Sequence, residues 1–300
     1  MIDVAIIAST PHLEQLSAAG TIDMALTHLV LHQPTYAAFY CARTQAGIAV
    51  MLDNSAYELQ ESTGSGMTAE PVLHAAQQIG AQVVVCQDVL FDGPATLAAT
   101  RQFLDVARHQ DRVGPAAGLR FMGVPQGRTQ TEWLDCYHQL VVMPDIDMIG
   151  LSKLSVPHCF GTPVAEARIA CVAQLLDHNA LKPFHLLGGD RSLPWELREH
   201  RRLGHDHAEH GGVRSNDSSF AFWYAASHIG VDARAGRAER NATTKPDLVA
   251  RTLTDTSLAT AFDYVGVLRD AAGLPALPPG SHTIPAELTS STRKPRHAAE

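Results

Sequence analysis

Seven short apolar runs, at 2–8, 48–52, 82–87, 119–124, 146–151, 183–187 and 211–215, recur along the chain with helix-sized segments between them. Their starts are 46, 34, 37, 27, 37 and 28 residues apart. That spacing suits βαβ units, in which a helical crossover separates each strand from its parallel neighbour. Most runs are apolar on consecutive positions, as strands covered on both faces are. Seven units within about 230 residues favour an α/β fold of the (β/α)8 TIM-like type over a doubly wound sheet. The eighth strand is not marked by any run. Helices are expected at 70–80, 94–110, 129–141, 163–178, 194–203 and 218–229, several with Pro near the start or Gly at the end. The segment 204–212 (GHDHAEHGG) reads as a polar loop. A single barrel domain over 1–274 is expected, followed by a flexible C-terminal tail at 275–300 with little apolar content.

With 45% apolar and 18% charged residues the chain can build a large core, which excludes disorder for most of its length. It has no stretch of eighteen unbroken apolar residues, so no membrane span is expected. The N-terminal MIDVAIIAST lacks a basic leader and reads as a first strand, which implies a cytoplasmic protein. Five scattered cysteines (Cys41, Cys86, Cys136, Cys159, Cys171) show no C-x-x-C spacing and read as free thiols. A net charge of -8 argues against a general nucleic-acid coat protein while leaving room for a local basic face.

In a parallel barrel, side chains at the carboxyl ends of the strands converge on one mouth. Successive runs here end in MLDNSAYE (51–58), VVVCQD (83–88), MGVPQG (122–127), IGLSK (149–153), HLLGG (185–189) and RSND (214–217). Each alone has an ordinary explanation: Asp88 and Asp217 as helix or turn caps, Gln126-Gly127 as a tight turn, Gly188-Gly189 as a strand end. Lys153 either meets solvent or a phosphate. Asp53 and Asp217 are more specific as a pair, because their runs fall on facing sides of an eight-stranded mouth. Paired carboxylates suit glycosyl chemistry, one attacking the anomeric carbon and the other moving protons. Phe220, Phe222, Trp223 and Tyr224 read as the buried face of a helix rather than a base-stacking platform. His205, His207 and His210 have an H-x-H-x-x-H spacing, but in a Gly-flanked polar loop they read as solvated, so no metal is expected. A metal-dependent hydrolase built on them is the weaker reading, since none follows a strand.

The ordered set D-N-S-A-Y-E, V-x-Q-D, V-P-Q-G, I-G-L-S-K, H-L-L-G-G and S-N-D-S-S resembles the tRNA-guanine transglycosylase superfamily over about residues 1–225. The corresponding family elements read D-S-G-G-F, a strand-end Asp, V-Q-G-G, I-G-G-L, H-L-M-G and a final catalytic Asp. Asn54-Ser55-Ala56 in place of Ser-Gly-Gly points to the phage and bacterial branch that inserts 7-deazaguanines into DNA; a phage-encoded protein would act in the host cytoplasm. No C-x-C-x-x-C zinc pattern is present, which implies a barrel without the zinc subdomain of the tRNA enzymes.

Carried over position by position, the resemblance implies Asp217 as nucleophile on C1′ and Asp53 as proton-shuttling base. Asp88 would accept from the N1–H and amine of the purine, Gln126 and Gly127 would read its carbonyl side, and Gly150 would let the base approach the backbone. Asn54, Lys153, Gly188 and Gly189 join the substrate-binding set, and Tyr57 would stack on the base. The implied partners are DNA, with tRNA less favoured, and a free preQ0-like 7-deazaguanine base; no cofactor is needed. A basic rim is expected from Arg191, Arg198, Arg201 and Arg202, then Arg234, Arg237, Arg240, Lys245 and Arg251, although surface salt bridges with Glu196, Glu199 and Glu239 explain it as well. The alternative function is a non-catalytic nucleic-acid-binding barrel or accessory subunit. The oligomeric state is open, a homodimer included.

Overall fold

The computed structural model describes residues 1–63, 67–110, 118–178, 181–207, 211–244 and 247–278. Eight parallel strands form the barrel: β1 (Asp3–Ile6), β2 (Asp23–Leu26), β3 (Val50–Asp53), β4 (Val83–Val85), β5 (Arg120–Gly123), β6 (Met148–Ser152), β7 (Phe184–Leu187) and β8 (Val213–Ser218). They run in the order β1-β8-β7-β6-β5-β4-β3-β2. The seam between β1 and β2 is bridged by Thr21, whose N–H donates to the Val4 carbonyl and whose Oγ1 accepts from the Val4 N–H. The fold is therefore a nearly closed (β/α)8 barrel. Among the described residues, no helix is long and apolar enough to cross a membrane.

The eighth strand expected from the sequence is β2, the second in order. Its four residues run straight into the helix Thr27–His32, so that MALTHLVL reads as one apolar stretch and hides the change of conformation. Counting β2 moves Asp53 and Asp217 from the second and seventh strands to the third and eighth. Their separation around the ring is unchanged.

Side chains alternate between two cores, as the period of a strand requires. Ala5, Ile7, Met24, Met51, Val83, Val85, Met122, Val124 and Met148 fill the barrel interior. Val4, Ile6, Leu52, Val84, Ile149, Leu151, Phe184 and Leu186 face the outer helices. The four methionines suit an interior of irregular shape. Toward the carboxyl ends of the strands the interior turns polar, with His185, Ser215, Asp217 and Asp53 succeeding the apolar layer.

The expected outer helices form at Ala69–Ile79, Gly93–His109, Gln130–Val141, Val164–Asp177, Leu193–Arg202 and Phe220–Ala226. The part of the chain beyond 225 completes the barrel. A two-stranded hairpin, β9 (Val231–Asp232) and β10 (Arg237–Ala238), precedes a strap, described at 241–244 and 247–254, that reaches the turn after β1, where Thr10 N–H donates to the Leu248 carbonyl. The helix Asp255–Ala272 then packs on the Phe220–Ala226 helix and ends at Gly273, in the left-handed region at φ 76°. Of the expected tail, Leu277 packs against the core; residues 279–300 lie outside the described residues.

Candidate active site

At the carboxyl ends of the strands a cavity of about 430 Å³ opens, lined by Asp53, Asn54, Tyr57, Glu58, Asp88, Lys153, Gly188, Gly189, Asp190 and Asp217 among others. Its volume falls within the range typical of small-molecule sites. The strap supplies Asn241, Ala242, Thr244 and Leu248 to its wall, and the helix after β8 supplies Phe220, Trp223 and Tyr224. Phe220, Phe222 and Tyr224 are buried, as expected, yet Phe220, Trp223 and Tyr224 also reach the cavity.

Asp217 does not cap the helix that follows it; Ser218 Oγ accepts from the Phe220 N–H instead. Asp217 Oδ1 accepts from the Gly188 N–H and faces His185 Nε2, both at 3.0 Å. Gly188 holds φ 67°, and a Cβ there would lie 2.8 Å from Lys153 Cδ, so only glycine presents this N–H while leaving room for the lysine stem. Asn216 stitches β7 to β8 beside it, its Nδ2 donating to the Leu186, Gly188 and Asp217 carbonyls.

Asp53 ends β3, and its Oδ2 accepts from the Ser55 N–H at 3.0 Å. Burial first, then the charges of Glu58, Asp217 and Asp88, push its carboxyl well above the ordinary carboxylate range. Asp88 is not a helix cap either, since Asp92 caps the helix Gly93–His109. Its two oxygens accept from Asn54 Nδ2 at 2.9 Å and Gln126 Nε2 at 2.6 Å. Burial raises the Asp88 carboxyl, and these two donors offset part of the rise.

Lys153 places its ammonium over the Tyr57 ring, 4.9 Å from the centroid, a cation–π arrangement. Burial lowers the ammonium below the ordinary lysine value, against the pull of Asp217 and Glu58. Among the described residues, no carboxylate lies within ion-pair distance of Lys153 Nζ.

Three residues of the expected binding set stand behind the cavity rather than on its wall. Gln126 is fully buried, with Nε2 on Asp88 and Oε1 accepting from the Phe91 N–H. Gly127 lies against the backbone of Glu132 and Trp133. Gly150 faces the barrel interior, where a Cβ would come within 2.6 Å of Leu187 and 2.9 Å of Met122; its smallness accommodates packing beneath the site.

The basic rim divides. Arg191 and Arg237 lie near the mouth, Arg191 donating to the Glu239 carbonyl and Arg237 stacked on Trp195 with bonds to Ser192 and Glu166. Arg240, next to cavity-lining Asn241, and Arg234, in the hairpin turn, are exposed. Arg198, Arg201 and Arg202 run down the helix Leu193–Arg202 away from the mouth. Arg198 and Arg201 bond the end of the Asp255–Ala272 helix, and Arg202 pairs with Glu199. An outer helix runs antiparallel to its strands, so the close of this arginine-rich segment falls at the opposite end of the barrel. Arg251 donates to the Ala226 carbonyl, and Lys245 lies outside the described residues.

His205 and His207 also belong to that opposite end. His205 carbonyl accepts from the N–H of Val213, the first residue of β8, and its ring Nδ1 sits 2.9 Å from His200 Nδ1. His207 is near Asp206, and His210 lies outside the described residues. Burial, then His200, lowers the His205 imidazole to about 4. The unfolded chain takes up that proton near the ordinary value of 6.5, so the folded state loses stability as pH falls from 6.5 toward 4. Raised carboxyls such as Asp88 change in the opposite sense as they protonate. The histidine is therefore isolated by difference: His205→Gln is expected to flatten the loss between pH 6.5 and 4 in urea melts of mutant against wild type.

Glu58, Asp190, Asn241 and His185 are site residues the sequence reading did not single out. Glu58 closes the run MLDNSAYE and Asp190 directly follows Gly189, so strand-end position was a usable signal for both. Asn241 comes from the strap, which no strand precedes. No family model matches the chain, and a search of curated proteins finds no match.

Proposed function

We propose that the protein is a base-exchanging pentosyltransferase that replaces guanine in DNA with a free 7-deazaguanine of the preQ0 type. The observation that carries this reading is the convergence of Asp217, Asp53 and Asp88 on one cavity, each tied down by a different set of donors. A further support lies at Ser55, whose φ of 59° is a left-handed conformation natural to glycine. The transglycosylase motif has glycine at that position.

In this mechanism Asp217 attacks C1′ of the deoxyribose. The C1′–N9 bond breaks, its electron pair leaves with guanine, and the protonated Asp53 gives the departing base a proton. The carboxylate so formed on Asp53 takes the N9 proton of the incoming deazaguanine. N9 then attacks C1′, and the ester bond breaks with its pair returning to Asp217. The raised Asp53 carboxyl suits a group that must first donate a proton and then accept one. Asp88 keeps acceptor capacity beyond its two amide donors and meets the N1–H and amine of a guanine-like base, whereas adenine offers an acceptor at N1.

Asp88→Asn places an amide against those donors and is expected to lower kcat/KM by about 10²-fold, measured by incorporation of labelled base. Nucleoside mass spectrometry of DNA from cells making the protein with a deazaguanine supply tests the reaction itself. A modified nucleoside in DNA supports it; the same nucleoside in tRNA alone redirects it to RNA. Salt-sensitive DNA binding with no modification favours the non-catalytic barrel.

A further inference from the structure

Behind Asp217 lies a short buried chain that the mechanism above does not use. His185, on β7, is fully buried, with Nε2 3.0 Å from Asp217 Oδ1 and Nδ1 2.7 Å from Ser215 Oγ. Ser215 is two residues before Asp217 on β8, so both side chains leave the same face of the strand, and β7 and β8 pair His185 with Ser215 in register. The sheet itself therefore sets the order Ser215, His185, Asp217. Gly188 adds a second donor to the same Oδ1. Among the described residues, nothing donates to Asp217 Oδ2.

We propose that His185 is a positioning residue that, with Ser215 and Gly188, holds Asp217 by Oδ1 and thereby makes Oδ2 the attacking oxygen. This rests on the transglycosylase reading. A neutral imidazole can donate from only one nitrogen, and the tautomer is set by what the other nitrogen meets. Donation of the Ser215 hydroxyl proton to Nδ1 fixes the ring proton on Nε2, where it bonds Oδ1. Once Oδ2 is esterified to C1′, Oδ1 becomes the ester carbonyl. The two donors on it then stabilise the charge that returns to the carboxylate when N9 of the incoming base displaces it. The clamp thus aids formation of the glycosyl-enzyme bond by aiming Oδ2 and aids its breaking by stabilising the returning charge, and leaves base binding to Asp88.

The test has two arms. In the first, ¹⁵N NMR of the ligand-free protein is expected to show His185 protonated on Nε2 and bare on Nδ1; the reverse tautomer overturns the clamp. In the second, formation of the denaturant-stable protein–DNA adduct is timed in wild type, His185→Phe, His185→Gln and Ser215→Ala. Phenylalanine is expected to slow adduct formation by about 10²-fold, the scale on which a misplaced reacting group is felt, with KM for the free base within about threefold. Glutamine can present an amide N–H near the Nε2 position and is expected to restore most of the rate. Ser215→Ala, which creates no large side chain in the barrel, is expected to lose about tenfold by releasing the tautomer. Wild-type rates in both His185→Phe and Ser215→Ala overturn the clamp while leaving the transglycosylase reading intact. Absence of any adduct in wild type overturns that reading, and with it the catalytic meaning of the clamp, whatever tautomer the first arm finds.

Discussion

Asp217→Asn is expected to abolish base exchange, with a fall in kcat of at least about 10⁴-fold, the scale on which loss of a covalent nucleophile is felt. Asparagine is nearly isosteric and keeps an oxygen for the Gly188 N–H, so the cavity retains its shape. What it loses is the carboxylate that, in the proposed reaction, would form and then release the bond to C1′. Exchange of labelled guanine into duplex DNA, run beside denaturing gels for the covalent adduct, reads both halves of the expectation. Both signals should vanish together in Asp217→Asn and in Asp217→Ala, while DNA binding persists. Full retention of exchange by either variant rejects Asp217 as nucleophile. Asp53→Asn is expected to separate the proposed roles: without a proton carrier, exchange should fall even though the Asp217 oxygen proposed to attack C1′ is still present.

The barrel was legible because its strands are covered on both faces and so appear as unbroken apolar runs. β2 escaped for the opposite reason, being too short to stand apart from the apolar helix that begins directly after it. At the site, strand-end position alone brought Asp53, Asp88, Asp217 and Lys153 to the mouth, because βα-barrel topology sends those ends to one place whatever the residues are. The same logic says nothing of depth. Gln126 follows a strand as faithfully as Asp88 does and Gly150 lies within β6, yet local packing turns one into a support for Asp88 and fills the space over the other. Arg198, Arg201 and Arg202 misled because proximity in sequence to Asp217 was read as proximity in space, whereas about ten helical residues rising 1.5 Å each carry the chain to the far end of the barrel.

The charged pair that matters most to the frame carries a sequence signal of its own. Arg168 sits on the same helical stripe as Ala165, Cys171, Val172 and Leu175, and Glu196 on the stripe of Leu193, Leu197 and His200. Both side chains are fully buried and form a bidentate pair, with Nε to Oε1 and Nη2 to Oε2 each at 2.7 Å. Burial alone would raise the Glu196 carboxyl, but the Arg168 charge and its two bonds, with His200 Nε2 3.7 Å away, outweigh it and hold it below the ordinary value. The remaining Arg168 nitrogen donates to the carbonyls of Leu151, Leu187 and Gly188, at the ends of β6 and β7. One guanidinium thus joins two outer helices to the strand ends that carry the Gly188 N–H toward Asp217.

Arg168→Met is therefore expected to cost about 3–5 kcal/mol of folding stability, because it strands a buried carboxylate without its counter-charge. Glu196→Gln should cost less in the Arg168→Met background than in wild type, since the amide needs no counter-charge. A double-mutant cycle by urea denaturation then isolates a coupling of up to about 3 kcal/mol. Arg168→Lys keeps the charge but not the planar fork, and leaves the β6 and β7 carbonyls short of a donor, so it should recover only part of the loss. A cost below about 1 kcal/mol for Arg168→Met would put the pair among ordinary surface bridges and remove the proposed link between the helices and the mouth. A full cost with unchanged exchange kinetics in the folded fraction would keep the pair as a stabilising element and place the orientation of Gly188 in β7 alone.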